Sequence, residues 1–125
     1  MNSKVSALLL LLALLVGCTV KIDEGLKYLN QKPPSIVPEI FAPNLISKET
    51  ESEFGSVFNK EATEFFYGVD VNGKEEIRYS KLIENSWSEP ETILVHEQYG
   101  YNDPFLSPDE NKLFFISRRA SMLLS

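Results

Sequence analysis

The chain has one cysteine, one histidine and one tryptophan in 125 residues. With a single cysteine there is no intrachain disulfide, and small secreted domains held by disulfides carry several cysteines, usually an even number. One histidine and one cysteine cannot supply the four ligands of a typical zinc site. A catalytic triad needs a nucleophile, a base and an orienting acid in contact, and no serine here sits in a Gly-x-Ser-x-Gly elbow. His96 therefore reads as a strand-end or surface residue. Asp103 and Asp109 flank Pro104 and Pro108 without EF-hand spacing, and turn-forming roles suffice for them. Glu61, Glu64, Glu75, Glu76, Glu84, Glu89 and Glu91 are scattered, which reads as a solvated surface and not as a paired-carboxylate site. These absences give the expectation of no enzyme, no cofactor and no metal. Positive charge is also scarce. Twelve basic residues face 18 acidic ones, for a net charge of −6, and the only adjacent basic pair is Arg118-Arg119. A protein that binds a phosphate backbone needs clustered Lys and Arg, so nucleic acid is not an expected partner.

No apolar run is long enough to cross a bilayer, which takes about 20 residues for ~30 Å of hydrocarbon. The longest is Val5 to Val16, interrupted only by Ser6. What precedes and follows it is informative. Met1-Asn2-Ser3-Lys4 is a short, positively charged start, and Gly17-Cys18 closes the run. A charged n-region, a short apolar h-region and a small residue before the cut describe a secretory signal. The ending Leu15-Val16-Gly17-Cys18 resembles the lipobox of bacterial lipoproteins. Small Gly17 suits a narrow peptidase subsite, and the Cys18 thiol is the nucleophile that takes a diacylglyceryl group as a thioether. The resemblance implies cleavage between Gly17 and Cys18, with lipid attached at Cys18. Two or three acyl chains anchor firmly, whereas one binds only marginally. Thr19 follows the cysteine, and the absence of Asp there favours the outer membrane in the sorting rule of enteric bacteria.

Composition then divides the rest. Residues 18–44 contain Pro33, Pro34, Pro38 and Pro43, four of the seven prolines, and read as a lipid-anchored tether, extended and solvated. A helical turn or two fits Glu24 to Lys32 before Pro33 stops it. From about Leu45, short apolar and aromatic runs alternate with turn residues every 10–12 positions, a pattern of antiparallel β structure. Strands are expected near 56–58, 64–71, 76–82 and 92–96. Asn72-Gly73 is the strongest hairpin signal, and residues 84–90, with the only Trp, read as a turn region. In the third strand Ile77, Tyr79 and Lys81 share one face and Arg78, Ser80 and Leu82 the other.

An internal repeat is visible. Residues 57–67 align without a gap on residues 105–115, both as two apolar residues, a six-residue polar turn and three apolar residues. Phe66 and Phe114 are identical partners. The second copy, Leu106-Ser107-Pro108-Asp109-Glu110-Asn111-Lys112-Leu113-Phe114-Phe115, resembles the WD40-like Pro-Asp (PD40) repeats of TolB-type β-propellers, with Glu110 where the pattern has Gly. The first copy departs further, with Asn59-Lys60-Glu61-Ala62 in place of Ser-Pro-Asp-Gly. The resemblance covers about residues 41–119.

It implies an all-β chain holding about one and a half four-stranded antiparallel blades of a propeller. The expected divisions are a signal peptide at 1–17, the tether at 18–44, a first blade at 45–98 and an incomplete second blade at 99–125. One sheet alone would expose Phe65, Phe66, Tyr67, Ile77 and Tyr79 on at least one face, so the chain is expected to be a fragment of a longer lipoprotein. Tyr99, Tyr101 and Trp87 are candidates for a ligand surface, although packing between blades explains them more simply. The expected function is a membrane-anchored module, tethered by the lipid on Cys18, that binds or scaffolds protein, peptide or glycan. The alternative is the propeller part of a peptidase- or sialidase-like hydrolase whose catalytic portion lies elsewhere.

Overall fold

The computed structural model describes residues 22–119. Gly17 and Cys18 lie outside the described residues. Among those described, every regular element beyond single 3-10 turns at Glu24–Leu26 and Tyr28–Asn30 is a β-strand. The strands are β1 (Ser52–Phe58), β2 (Glu64–Val71), β3 (Lys74–Ile83), β4 (Ser86–Trp87), β5 (Glu91–Leu94), β6 (Tyr99–Leu106) and β7 (Leu113–Arg119). The all-β expectation holds, and every strand pairing is antiparallel. β1, β2 and β3 form a meander. Both β4 and β5 pair with the free edge of β3, so together they occupy the fourth position of that sheet. β6 and β7 form a separate hairpin.

Turn chemistry explains the meander. Val71 pairs with Lys74, leaving Asn72 (φ 57°) and Gly73 (φ 82°) as a two-residue connection. Both are left-handed, the geometry of the type I′ turn that matches the twist of the flanking strands. A second turn of this kind joins β3 to β4 through Glu84 (φ 48°) and Asn85 (φ 76°). Residues 84–90 are thus not a turn throughout, because Trp87 resumes pairing opposite Leu82. The signal is weak in sequence because Glu rarely adopts positive φ. Glu84 is exposed, and a non-glycine left-handed residue costs roughly 1–2 kcal/mol. Glu84→Asn is therefore expected to raise stability by up to about 1 kcal/mol, since Asn tolerates this region. An unchanged or lowered urea midpoint would count against a strained turn at this position.

Side chains alternate across the sheet. Phe65, Tyr67 and Val69 point to one face; Phe66 and Gly68 point to the other, where Tyr79, Ile77 and Glu75 join them by register. The segment before β1 covers the first face. Leu29, Ala42 and Ile46 form one buried cluster with Phe65, Tyr67 and Val69, flanked by Leu45, Phe58, Val71 and Trp87. The reading of this Pro-rich segment as solvated throughout is corrected here, as is the expected exposure of Phe65 and Tyr67. Leu29 before the prolines, Ala42 beside Pro43 and Ile46 after it find an uncovered aromatic face and bury on it. Trp87 Nε1 donates to the Leu26 carbonyl at 2.6 Å and Tyr28 N–H to the Ala62 carbonyl at 3.2 Å. The Phe41 ring lies 5.6 Å from that of Phe65. Tyr28, Leu29 and Asn30 take left-handed conformations (φ 52°, 58° and 59°), which turn Leu29 into the cluster. On the second face β6 packs against β1, β2 and β3, and Ile77 is fully buried.

The repeat extends to backbone detail at the same 48-residue spacing. β1, its turn and β2 match β6, its turn and β7. Asn59 N–H donates to the Glu64 carbonyl (3.1 Å), and Ser107 N–H donates to the Lys112 carbonyl (2.9 Å). Ala62 N–H donates to the Asn59 carbonyl (3.0 Å), as Glu110 N–H does to that of Ser107 (2.8 Å). Ala62 (φ 55°) and Glu110 (φ 58°) are left-handed at equivalent positions. Glu110 therefore takes the same backbone conformation as its counterpart one repeat earlier. The bulge in β1 falls at Gly55 (φ 34°) and that in β6 includes Asp103 (φ 48°), again equivalent positions.

Equivalent parts of the two units also touch each other. A Cβ built on Gly55 would stand 2.7 Å from Asp103 Cα, so only glycine permits this approach. The Lys60 ammonium donates to the carbonyl of Pro108, its partner in the repeat, and Lys60 N–H donates to Glu110 Oε1 at 2.5 Å.

Candidate functional site

One open cleft of about 740 Å³ lies at the Asn72–Gly73 end of the sheet, where β7 approaches β3. Asp70, Lys74, Glu75, His96, Glu97, Tyr99 and Arg118 line it together with the hairpin itself. Glu75 is central. Its carboxylate accepts from Arg118 Nε (2.9 Å) and Asn102 Nδ2 (3.1 Å) and is bridged by the second Arg118 nitrogen. This ion pair ties the second unit to the first, and its lone pairs are engaged within the protein. His96 is exposed, and its Nδ1 accepts from Gln98 N–H (3.1 Å). The imidazole lies 5.1 Å from the ring of Tyr99. Among the described residues no hydrogen bond joins His96 to a serine, and no group of three or more His, Cys, Asp or Glu side chains could hold a metal ion. The arrangement offers an aromatic ring beside mixed charges, which suits contact with a polar ligand.

The candidate ligand aromatics are not brought together. Tyr99 is in the cleft, Tyr101 packs edge-on against Phe115 (5.4 Å), and Trp87 belongs to the cluster on the opposite sheet face. Asp103 sits in the β6 bulge. Asp109 organises the second turn, accepting from Ser107 Oγ (2.6 Å), Asn111 Nδ2 (3.1 Å) and Asn111 N–H (3.3 Å). The Ser107 bond, followed by those from Asn111, holds the Asp109 carboxyl down to about 2. This is the turn-forming role expected of it.

The glutamates are not uniformly a solvated surface, which corrects the reading of Glu64, Glu75 and Glu76. Glu76 is buried, and it accepts from Arg78 Nε (2.7 Å) and Thr92 Oγ1 (2.9 Å), while Arg78 NH1 reaches Glu51 at 2.8 Å. Burial opposes the charge on Arg78, but the bonds to Glu51 and Glu76 outweigh it and hold the guanidinium above its usual range. Tyr79 donates to Glu64 Oε1 (2.7 Å), and burial together with that bond raises its phenol. Desolvation likewise raises Tyr67, whose hydroxyl is buried without a hydrogen-bond partner. A signal was present in sequence for Glu75 and Glu76. Both lie inside an alternating strand, directly before the buried Ile77, where a solvated pair is not expected on both faces.

The second sheet unit leaves an apolar face open. Phe105, Phe114 and Ile116 are 61%, 54% and 53% exposed. They are the counterparts of Val57, Phe66 and Gly68, which lie on the first sheet's face toward β6. The edge of β7 away from β6 pairs with no strand among the described residues, whereas β2 pairs on both edges. No family model, curated protein or solved structure matches the chain.

Proposed function

We propose that the chain is a membrane-anchored lipoprotein whose two sheet units are consecutive blades of a WD40-like β-propeller, and that it acts as a binding or scaffolding module for protein, peptide or glycan. The observation that carries this reading is the 48-residue repeat expressed in turn, bulge and pairing geometry, with equivalent residues of the two units in contact. Independent small β domains have no reason to repeat a left-handed residue and a bulge at one spacing; stacked blades do. The exposed Phe105, Phe114 and Ile116 supply the face for the next blade, and the free edge of β7 supplies the position that β3 fills in the first unit. The Leu15-Val16-Gly17-Cys18 motif supports attachment at Cys18, and Thr19 supports the outer membrane.

Intact mass of the native product extracted from membranes, combined with a photo-crosslinking residue at Phe114, tests this. The expected result is a lipidated chain that begins at Cys18 and crosslinks efficiently through position 114. A crosslink within a heavier chain makes the face a blade-to-blade contact, and one to a second protein identifies the chain that completes it. An unmodified Cys18 would defeat the anchor, and a position 114 that reacts only with water would defeat the stacking face.

A further inference from the structure

The segment between Cys18 and β1 contains a closed loop. Gln31 Oε1 accepts from Ala42 N–H (3.2 Å) and Gln31 Nε2 donates to the Leu29 carbonyl (2.9 Å), so one side chain clamps the base of residues 32–41. The loop is anchored on the sheet by buried Leu29 at one end and buried Ala42 at the other. Its tip is built by Ser35, whose hydroxyl accepts from Val37 N–H at 3.1 Å. Ile36 is fully exposed, Val37 is 63% exposed and Ile40 72%. Three β-branched aliphatic side chains so displayed, with Pro33 and Pro34 before them and Pro38 among them, form an apolar patch that nothing among the described residues covers, the usual mark of an interaction site.

Two further observations identify what covers it. Lys32 and Glu39 cancel, so the loop is neutral in a chain of net charge −6. The prolines lack N–H groups and the Val37 N–H is already bonded, so four of the ten residues 32–41 bring no free backbone donor into an apolar medium. The second observation is distance. Whatever their conformation, the residues from Cys18 to Ile22 reach at most about 14 Å. From Asp23 the chain is held, by the Asp23 cap on Gly25 (3.0 Å) and by Trp87 on Leu26. A lipid on Cys18 therefore keeps the start of the fold at the bilayer surface, with the base of the loop only nine residues beyond Ile22.

We infer that the Ile36–Ile40 tip is a second membrane contact, inserted into the headgroup–acyl boundary of a phospholipid bilayer beside the lipid anchor. This rests on the lipoprotein reading. Tip and acyl chains together fix the orientation of the sheet on the membrane, which a flexible tether would not do. The Asn72–Gly73 cleft lies at the opposite end of β2 from the Ala62 turn that Tyr28 contacts, so the cleft faces away from the bilayer.

The test uses the full lipidated protein in phosphatidylcholine vesicles. Because Cys18 is acylated, Val37→Cys provides one free thiol for an environment-sensitive fluorophore, and Glu97→Cys, in the cleft, is the reference. Nitroxide-bearing lipids should quench position 37 about threefold or more above position 97, in keeping with burial ~5–10 Å deep. Aqueous iodide should show the reverse order. Equal iodide quenching at both positions, on a chain whose mass shows lipid at Cys18, overturns the loop contact and leaves the anchor standing. An unlipidated Cys18 overturns both.

Discussion

Replacing Arg78 with Met is expected to lower stability by about 3–5 kcal/mol, read as the urea midpoint at neutral pH with the m-value unchanged. The physical reason is that Arg78 does not sit on the surface as a single ion pair. Its guanidinium bonds Glu51 and Glu76, and all three side chains are only 12–14% exposed. Removing the cation leaves two carboxylates near each other, out of water and without a countercharge. Thr92 can still donate to Glu76 but carries no charge. The loss should shrink when Glu51→Gln and Glu76→Gln are added to Arg78→Met, because the stranded charges then disappear. A single variant that costs less than about 1 kcal/mol would mean that the network behaves as an exposed pair. The network also joins distant parts of the sequence. Glu51 precedes β1, Arg78 and Glu76 are in β3, and Thr92 is in β5, so its disruption should loosen both edges of the sheet together.

Ile46→Ala is expected to cost about 2–5 kcal/mol, whereas Ile36→Ala should change stability by no more than about 0.5 kcal/mol. The residues are the same type, ten positions apart in the stretch that precedes β1. Ile46 is 2% exposed and packs with Leu29, Ala42, Phe65, Tyr67 and Val69, while Ile36 contacts solvent on all sides. Thermal unfolding of the two variants side by side gives the comparison. Similar small losses at both positions would mean that the segment does not cover the sheet. A large loss at Ile46 alone would establish that the residues before β1 belong to the folded unit.

This contrast marks the limit of what sequence can show. The all-β class was legible because alternation and turn chemistry act over a few residues. Asn72-Gly73 selects a type I′ hairpin through two positive φ angles, and Ile77-Arg78-Tyr79-Ser80 alternates because successive strand side chains point to opposite faces. The turn at residues 84–90 was expected, but its two-residue tightness at Glu84–Asn85 was hidden, because Glu is forced into a conformation it does not favour and the strand resumes at Ser86. The role of Asp109 was visible in Ser107-Pro108-Asp109, since every bond it makes is to a neighbour within two residues.

The sequence by itself determined the all-β class, the main hairpin and the 48-residue repeat, all of which depend on neighbours along the chain. Only the tertiary structure decided which apolar residues are covered. Ile46 is buried and Ile36 is not, Trp87 packs under Leu26 instead of beside Tyr99, and Glu76 carries an inward ion pair while Glu84 faces water. These outcomes depend on which surface meets which across dozens of residues. Hydrophobicity is not directional, so a side chain's type states that it gains by burial but not where it will find cover.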